Sequence, residues 1–436
     1  MMHRSDSSSS VKYSVSKVIV SLICLYVLFF SLWPFFIDIR ITEKVGINPE
    51  RVLLALIVLI SLLAYLSGGV NAQRLSVLKK NKIVAYSITA FFIWRFMAVV
   101  FVGGMESFPY WIYEFLSNYV LFIVVLLFVD SHRARKKVLG WLSISVFFVL
   151  CIAIFEFMKG EFLFTPFVTG ESRAALGAIS GSFRNNLYRV QGTFEHALVL
   201  SQYLLILLPI VLLYINYYFR TATSVRLIFS SAAVFLTLIV LLMAQCRTSL
   251  VTIFAWLVYW IYKKIKVGRQ RYLVLLGAIG FAFMAYNLYL SGSEVAYSDA
   301  RYAQVINGIL AIQESPLFGY GPGISLGEIL FDVGESVSGS VFIYEENAST
   351  IDNRYLSVVL ESGVPSLVLF FVFLWKIFST ISFKVVQYGE LKRELSYFAL
   401  SIIACGVTML TLSIYTVMPV MFLIFAIAYC RACGVD

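Results

Sequence analysis

Apolar runs of about twenty residues occupy most of this chain, and no other feature of the sequence constrains the fold as strongly. About twelve such runs occur, each long enough to cross a hydrocarbon core of about 30 Å as a helix. Lipid offers no hydrogen bonds to the backbone, so a spanning segment must satisfy its own polar groups. Continuous apolar runs do so as helices, whereas the strands of a β-barrel would alternate apolar and polar residues. The sequence therefore predicts an all-α polytopic integral membrane protein.

The predicted spans lie near 16–38, 50–68, 82–103, 109–129, 137–157, 197–219, 226–245, 248–263, 271–291, 364–383, 395–413 and 415–432.

Lysine and arginine are concentrated in every second connection between these runs. The basic connections contain Arg74, Lys79, Lys80 and Lys82; Arg133, Arg135, Lys136 and Lys137; Arg220 and Arg226; Lys263, Lys264, Lys266, Arg269 and Arg271; and Lys384, Lys392 and Arg393. Basic loops stay on the cytoplasmic side of a membrane, so both termini are expected to be cytoplasmic. The net charge of +10 is then mainly a topology signal, and it does not indicate a nucleic-acid partner.

Two connections on the opposite, external side are too long to be simple links. We expect one membrane domain, residues 1–436, with external loops at 159–196 and 292–353. Within the second loop, Ser298 to Glu314 predicts an amphipathic helix lying along the membrane interface. Its apolar face would carry Tyr302, Val305, Ile306, Ile309 and Leu310. The following segment, PLFGYGPG from Pro316, predicts turns.

Charged residues beside apolar runs are candidates for function, because an unpaired charge at the bilayer centre costs about 2.5 to 3.5 kcal/mol or more. Arg247 lies between two runs at the external side, where it could bind substrate or mark a helix end by reaching toward the headgroups. Arg95 lies inside the third run, and Glu114 of the fourth run is its expected partner. The six cysteines show no spacing typical of a metal site.

Each external loop contributes a group of polar residues. The first contains Arg184, Arg189, Gly192, Glu195 and His196. Its basic residues and exposed amides could hold a phosphate, or they could bind lipid headgroups or cap a helix. The second contains Arg301, Glu345, Glu346, Asp352 and Arg354. Together these could supply a general base and an anion clamp, or they could form a solvated loop with surface ion pairs.

Four blocks in this order resemble the O-antigen ligase and O-antigen polymerase superfamily of bacterial polysaccharide assembly. They are RVQGTFEHALVLSQYLLILLP from Arg189, QCRTSLVTIFAW around Arg247, RYAQVINGILAIQESPLFGYGPG from Arg301, and DNRYLSVVLESGVPSLVLFF from Asp352. The order and spacing of the blocks carry the resemblance, which spans Arg189 to Phe371.

The resemblance implies an inverting, metal-independent glycosyltransferase of the bacterial inner membrane that needs no cofactor. Its donor and acceptor would be undecaprenyl-pyrophosphate-linked oligosaccharides, with membrane lipids and a chain-length regulator as further partners. Arg247 and Arg301 match the pyrophosphate-binding arginines of the family, and Arg189 is a third candidate. Planar guanidinium groups bind such oxygens in pairs, which agrees with this role. Glu195, His196, Asn353 and Tyr355 are further candidates for substrate binding, and Tyr302, Phe318 and Tyr320 could stack on sugars.

One departure from the family pattern bears on the reaction. Ligases that transfer O-antigen to the lipid A core carry His and then Asn at the start of the last block, and Gly follows after nine residues. Here Asp352 replaces the His, before Asn353 and Gly363. A carboxylate can serve as a base, so we favour a polymerase of O-antigen, capsule or exopolysaccharide repeats. A ligase acting on lipid A core or protein, and a flippase for lipid-linked oligosaccharide, are the alternatives.

Overall fold

A computed structural model describes most of the chain. The described residues are 6–34, 36–37, 39–42, 45–67, 82–129, 131–167, 183–184, 187–264, 300–323, 329, 353–387, 389–410 and 415–433. Helices dominate them, and two short antiparallel ribbons accompany the helices. The ribbons pair β1 (Ile39–Thr42) with β2 (Val45–Ile47) and β3 (Phe183–Arg184) with β4 (Leu187–Tyr188).

The α-helices are α1 (Asp6–Leu32), α2 (Pro49–Leu66), α3 (Lys82–Ala98), α4 (Gly104–Glu114), α5 (Leu121–Phe128), α6 (His132–Lys159), α7 (Ala197–Tyr218), α8 (Thr223–Met243), α9 (Thr248–Lys264), α10 (Ala300–Glu314), α11 (Arg354–Gln387), α12 (Gly389–Thr408) and α13 (Met418–Ala432). Short π-helical segments, Val99–Gly103 and Phe115–Val120, flank α4.

The predicted class is confirmed by the length and composition of these helices. Among the described residues, seven helical segments are long and apolar enough to cross a membrane. One of the seven, Lys82–Phe128, contains the predicted run 82–103 and all but the last residue of the predicted run 109–129. The predicted run 271–291 lies outside the described residues. The chain is therefore an all-α polytopic membrane protein, and a count of about twelve spans stays a prediction.

The segment from α3 to α5 reverses direction at Gly104, where φ is 61° and ψ is −167°. Glycine adopts this left-handed conformation without a steric penalty. Beyond the turn, Trp111 Nε1 donates to the carbonyl of Phe92 at 3.2 Å, and the hydroxyls of Thr89 and Tyr119 lie 3.0 Å apart. These contacts join residues in antiparallel order, so the two legs form a helical hairpin.

Helix α13 lies at the centre of the bundle, and nearly all of its side chains are buried. Its Phe422 stacks on Phe373 of α11, with ring centroids 5.6 Å apart, and contacts Phe122 of α5 edge to face. Helix α8 lies at the periphery, where Leu242 and Phe235 are among its exposed side chains. Apolar surface turned outward in this way is what a lipid-facing helix requires.

Polar groups gather at two opposite ends of the bundle. At the basic end, the last turns of α9 and α13 meet the first turns of α12, where Arg431 pairs with Glu394 at 2.9 Å. At the far end, the start of α11 meets the end of α12, because the Arg354 amide donates to the Met409 carbonyl at 2.9 Å. The start of α7 joins them through Gln202, whose amide donates to the Thr408 hydroxyl at 3.1 Å. The candidate site lies at this far end.

Candidate functional site

The segment before α7 packs against the end of α8. Arg189 is 8% exposed, and its Nε donates to the carbonyl of Ala244 at 3.2 Å. The amide of Val190 donates to the carbonyl of Met243 at 3.4 Å. Arg247 follows three residues after Ala244, in the turn that leads into α9, and it is exposed. Arg189 and Arg247 therefore lie near the same helix end, although they are distant in the sequence.

Glu156, in the last turns of α6, holds the same segment from the other side. Its carboxylate accepts hydrogen bonds from the Tyr188 hydroxyl at 2.6 Å, the Gln191 amide at 3.0 Å and the Gly192 amide at 2.8 Å. Burial and the neighbouring Glu156 carboxylate raise the pKa of Tyr188 above its ordinary value. These two amides already donate to Glu156, so they are not available to an external anion, and only the basic side chains of the segment could contact one.

Glu195 and His196 end the segment. The Nδ1 atom of His196 accepts from the Leu198 amide at 3.1 Å, so His196 caps the N-terminus of α7. Glu195 is partly exposed and accepts a hydrogen bond from the hydroxyl of Thr416. Burial raises the pKa of Glu195, and this carboxylate interacts electrostatically with Tyr113 of α4. The Glu195 carboxylate therefore lies between the start of α7, the segment before α13 and α4.

The remaining predicted site residues begin α10 and α11. Arg301 lies in the first turn of α10, and Asp352 falls outside the described residues. Asn353 caps α11, since its Oδ1 accepts from the Leu356 amide at 3.1 Å. Tyr355 stacks on Phe371 with ring centroids 4.9 Å apart, and its hydroxyl donates to the carbonyl of Gly406 at 3.0 Å. The Tyr355 ring is therefore engaged in helix packing.

Helix α10 turns its polar side chains toward the protein. Gln304 and Asn307 are buried, and Gly308 lies against the Leu356 side chain of α11. Val305 and Ile309 of the predicted apolar face are exposed. The predicted helix from Ser298 to Glu314 is confirmed, with observed bounds Ala300–Glu314. Outward apolar and inward polar side chains suit a helix that packs on α11 and contacts lipid.

A buried cluster of four charges connects the hairpin to α11. Arg95 pairs with Glu114, as the sequence predicts, and its Nη2 also donates to Glu361 Oε2 at 2.8 Å. Arg354 Nη2 donates to Glu114 Oε1 at 2.7 Å, and its Nη1 lies 3.5 Å from Glu361 Oε1. The solvated-loop interpretation is therefore wrong for Arg354, which is 2% exposed at the start of α11. Two arginines and two glutamates make the cluster electrically neutral.

Sequence reasoning missed the roles of Glu361 and Arg354. The available signal was their spacing within the last block, where Arg354, Ser357 and Glu361 follow the helical period and share one face. The Ser357 hydroxyl donates to Glu361 Oε1 at 2.7 Å and accepts from Arg354 Nη1 at 3.2 Å. A charged, hydrogen-bonded face on an otherwise apolar helix indicates a buried partner of opposite charge.

The turn from Pro316 packs against a break in α11 at Gly363, where φ is 78° and ψ is 172°. The break frees backbone groups that the turn then satisfies. The Val364 amide donates to the Pro316 carbonyl at 2.8 Å, and the Tyr320 amide donates to the Leu360 carbonyl at 2.7 Å. The glycines and prolines of the turn therefore allow close backbone approach to α11, beside the charge cluster.

Trp94 of α3 secures this junction. Its Nε1 donates to the carbonyls of Leu317 at 3.1 Å and Ser362 at 3.0 Å, and its ring stacks on Phe318 with centroids 5.2 Å apart. The Tyr320 hydroxyl donates to Glu314 Oε2 at 3.0 Å, and burial together with this carboxylate raises the Tyr320 pKa to about 12. Phe318 and Tyr320 thus have structural partners in the far end.

These features define a class: a polytopic membrane protein whose helices collect arginines and carboxylates at one end of an apolar bundle. Within that class, residues 232–371 match the family model described as O-antigen ligase. The match supports the O-antigen ligase and polymerase superfamily and a membrane glycosyltransferase type of activity. It contains Arg247, Arg301, the turn from Pro316 and the charge-bearing part of α11, whereas Arg189 lies before it. No curated protein matches the chain significantly.

Proposed function

We propose that this protein polymerises oligosaccharide repeats carried on undecaprenyl pyrophosphate, at the outer leaflet of the bacterial inner membrane. The observation that carries the proposal is the packing of Arg189 onto the end of α8, beside Arg247. Two cationic side chains from separate sequence blocks can then act on one anion. Arg301, at the start of α10, supplies a third candidate.

In the proposed reaction, a sugar hydroxyl of the acceptor attacks the anomeric carbon of the donor. The bond from that carbon to the pyrophosphate oxygen breaks, and undecaprenyl pyrophosphate leaves. Negative charge grows on the departing oxygens, where fixed guanidinium groups stabilise it, and attack from the opposite face inverts the anomeric centre. The hydroxyl proton passes to a base, for which Asp352 is the first candidate and Glu195 the second. This scheme assigns the role of counter-charge to arginines.

The role of Asp352 is tested by Asp352→Asn, with Asp332→Asn in the same predicted external loop as the matched control. A base of this kind contributes about 10² to 10⁴ in rate, so single-turnover transfer by purified protein should slow by that factor while donor affinity is kept. Asn has nearly the size of Asp but cannot accept the proton, so near-normal turnover would show that Asp352 is not the base and would make Glu195 the next candidate.

A ligase is the second candidate, because the matching family model is described as O-antigen ligase. Deletion of the gene separates the two activities on a glycan gel. Loss of long chains, with a single repeat still attached to its acceptor, indicates the polymerase. Loss of every attached repeat, with long lipid-linked chains retained, indicates the ligase and refutes our assignment.

The proposed topology has about twelve spans, cytoplasmic termini and external loops at 159–196 and 292–353. Its support is the separation of the basic end from the far end across the bundle. A reporter fused after Lys266 should be cytoplasmic, and one fused near Ser336 should be external. Placement of both reporters on one side would contradict both the topology and the external site.

A further inference from the structure

Glu156 contacts residues that precede and follow Arg189 in the sequence. Its carboxylate accepts from Tyr188, which precedes Arg189, and from Gln191 and Gly192, which follow it, at distances of 2.6 to 3.0 Å. Glu156 is completely buried. These donors are one hydroxyl and two backbone amides, so the carboxylate acts on the backbone path of the segment rather than on the guanidinium of Arg189.

Two neighbouring helices, α8 and α1, fix the opposite side of this path. Arg189 and Val190 donate to the carbonyls at the end of α8, as described above, and the Thr193 hydroxyl donates to the Ser31 carbonyl of α1 at 2.6 Å. Gly192 has a φ of 62°, a left-handed conformation in which its amide reaches Glu156. The segment is thereby held between α1, α6 and α8 before any donor binds.

We propose that Glu156 is a positioning residue, which holds Arg189 in place for the pyrophosphate of the donor. This inference rests on the proposed function, because it assigns Arg189 to pyrophosphate binding. A clamp that is ordered in advance does not lose conformational entropy when the anion arrives, and its charge is already oriented. Release of the carboxylate contacts would let the backbone around Arg189 move, and the affinity for pyrophosphate would fall.

The substitution Glu156→Gln changes the fewest contacts. Oε1 of Glu156 accepts from Tyr188 and Gln191, and Oε2 accepts from Gly192. A Gln side chain keeps one acceptor oxygen and places an amide NH₂ against the Gly192 N–H. Loss of this hydrogen bond should weaken binding of undecaprenyl pyrophosphate to the purified protein by about tenfold. Glu394→Gln, at the basic end, is the matched control and should leave this affinity unchanged.

A double-mutant cycle with Arg189→Ala distinguishes positioning from general damage. If Glu156 acts through Arg189, Glu156→Gln should have no further effect on affinity once Arg189 is alanine. Additive losses, or unchanged affinity in Glu156→Gln alone, would overturn the inference. Unchanged affinity in Arg189→Ala would instead refute the assignment of Arg189 in the proposed function.

A second variant covers the case in which Glu156→Gln does not fold. Tyr188→Phe removes one of the three hydrogen bonds and keeps the ring, so it should fold and lower affinity by a smaller factor in the Arg189 protein only. Equal losses from Tyr188→Phe with and without Arg189 would also overturn the inference. Thermal unfolding of each variant in detergent shows whether the affinities are compared between folded proteins.

Discussion

Replacement of Glu114 by Gln should destabilise this protein far more than a comparable change at its surface. Glu114 is 6% exposed and accepts hydrogen bonds from both Arg95 and Arg354. The substitution preserves size but removes the negative charge, so two buried guanidinium groups are left with Glu361 alone. The net charge of the cluster changes from zero to +1 in surroundings that solvate charge poorly.

The expected cost is about 3 to 5 kcal/mol in the free energy of unfolding, the usual effect of removing one partner from a buried ion pair. The control is Glu161→Gln, which breaks the pair of Glu161 with Lys159, whose side chains are 63% and 52% exposed. Water and salt screen that pair, so its loss should cost about 0 to 1 kcal/mol. The same chemical change should therefore have a severalfold different effect at the two positions.

A second substitution tests whether charge is the cause. The double variant Glu114→Gln, Arg354→Met has a neutral cluster, because one arginine and one glutamate remain paired at 2.8 Å. We expect this double variant to be less destabilised than the sum of the two single variants, with a coupling energy of about 1 to 3 kcal/mol. An additive result would show that lost packing, rather than unbalanced charge, explains the single variants.

The assay is reversible unfolding by sodium dodecyl sulfate in mixed micelles, followed by far-ultraviolet circular dichroism. The wild-type protein and the variants are compared at one detergent composition and one pH. The electrostatic argument would be refuted if Glu114→Gln cost no more than Glu161→Gln.

Three further predictions concern the backbone, the clamp and pH. Gly363→Ala should lower the melting temperature in detergent, because the φ of 78° at this position disfavours a side chain and the new Cβ would clash with the Leu317 carbonyl. An unchanged melting temperature would contradict this prediction. Arg247→Lys should sharply reduce polymer yield at equal protein level, because Lys lacks the guanidinium fork. The control Arg226→Lys, at the other end of α8, should leave the yield unchanged. A normal yield from Arg247→Lys would remove Arg247 from the clamp. Burial raises the Glu195 pKa, so this carboxyl stabilises the folded state below its ordinary pKa of 4.5 and loses that contribution as pH rises through the raised pKa. The variant Glu195→Gln should therefore gain stability relative to wild type above pH 4.5. A difference in stability that does not depend on pH would contradict this prediction.

Helix positions were largely predictable, because lipid demands long apolar runs and the runs are visible in the sequence. The predicted runs 197–219 and 248–263 correspond to α7 and α9 within a residue or two. The amphipathic period around Val305 also predicted α10 correctly. In each case the evidence lies within about twenty neighbouring residues, so a local reading is sufficient.

Partners across the bundle were less accessible to sequence reasoning. The pair of Arg95 and Glu114 was predicted, because the two residues lie on consecutive runs separated by one short turn. Glu361 lies 266 residues from Arg95 in the sequence, and its hydrogen bond to Arg95 depends on which helices pack together. The sequence left open whether Arg354 belongs to an anion clamp or to a solvated loop, and packing of α11 against the hairpin instead buries it in a charge cluster.

The amino-acid sequence by itself determined that this protein is a bundle of membrane helices, because hydrophobic length and the absence of hydrogen bonding in lipid leave a chain of this composition no other fold. It also determined which arginines and carboxylates are available for chemistry. The tertiary structure alone decided that Arg189 packs onto the end of α8, three residues before Arg247, and that Glu156 holds the segment between α6 and α8. The physical reason is that helix formation depends on near neighbours in the chain, whereas contacts between charged groups depend on how separate helices pack.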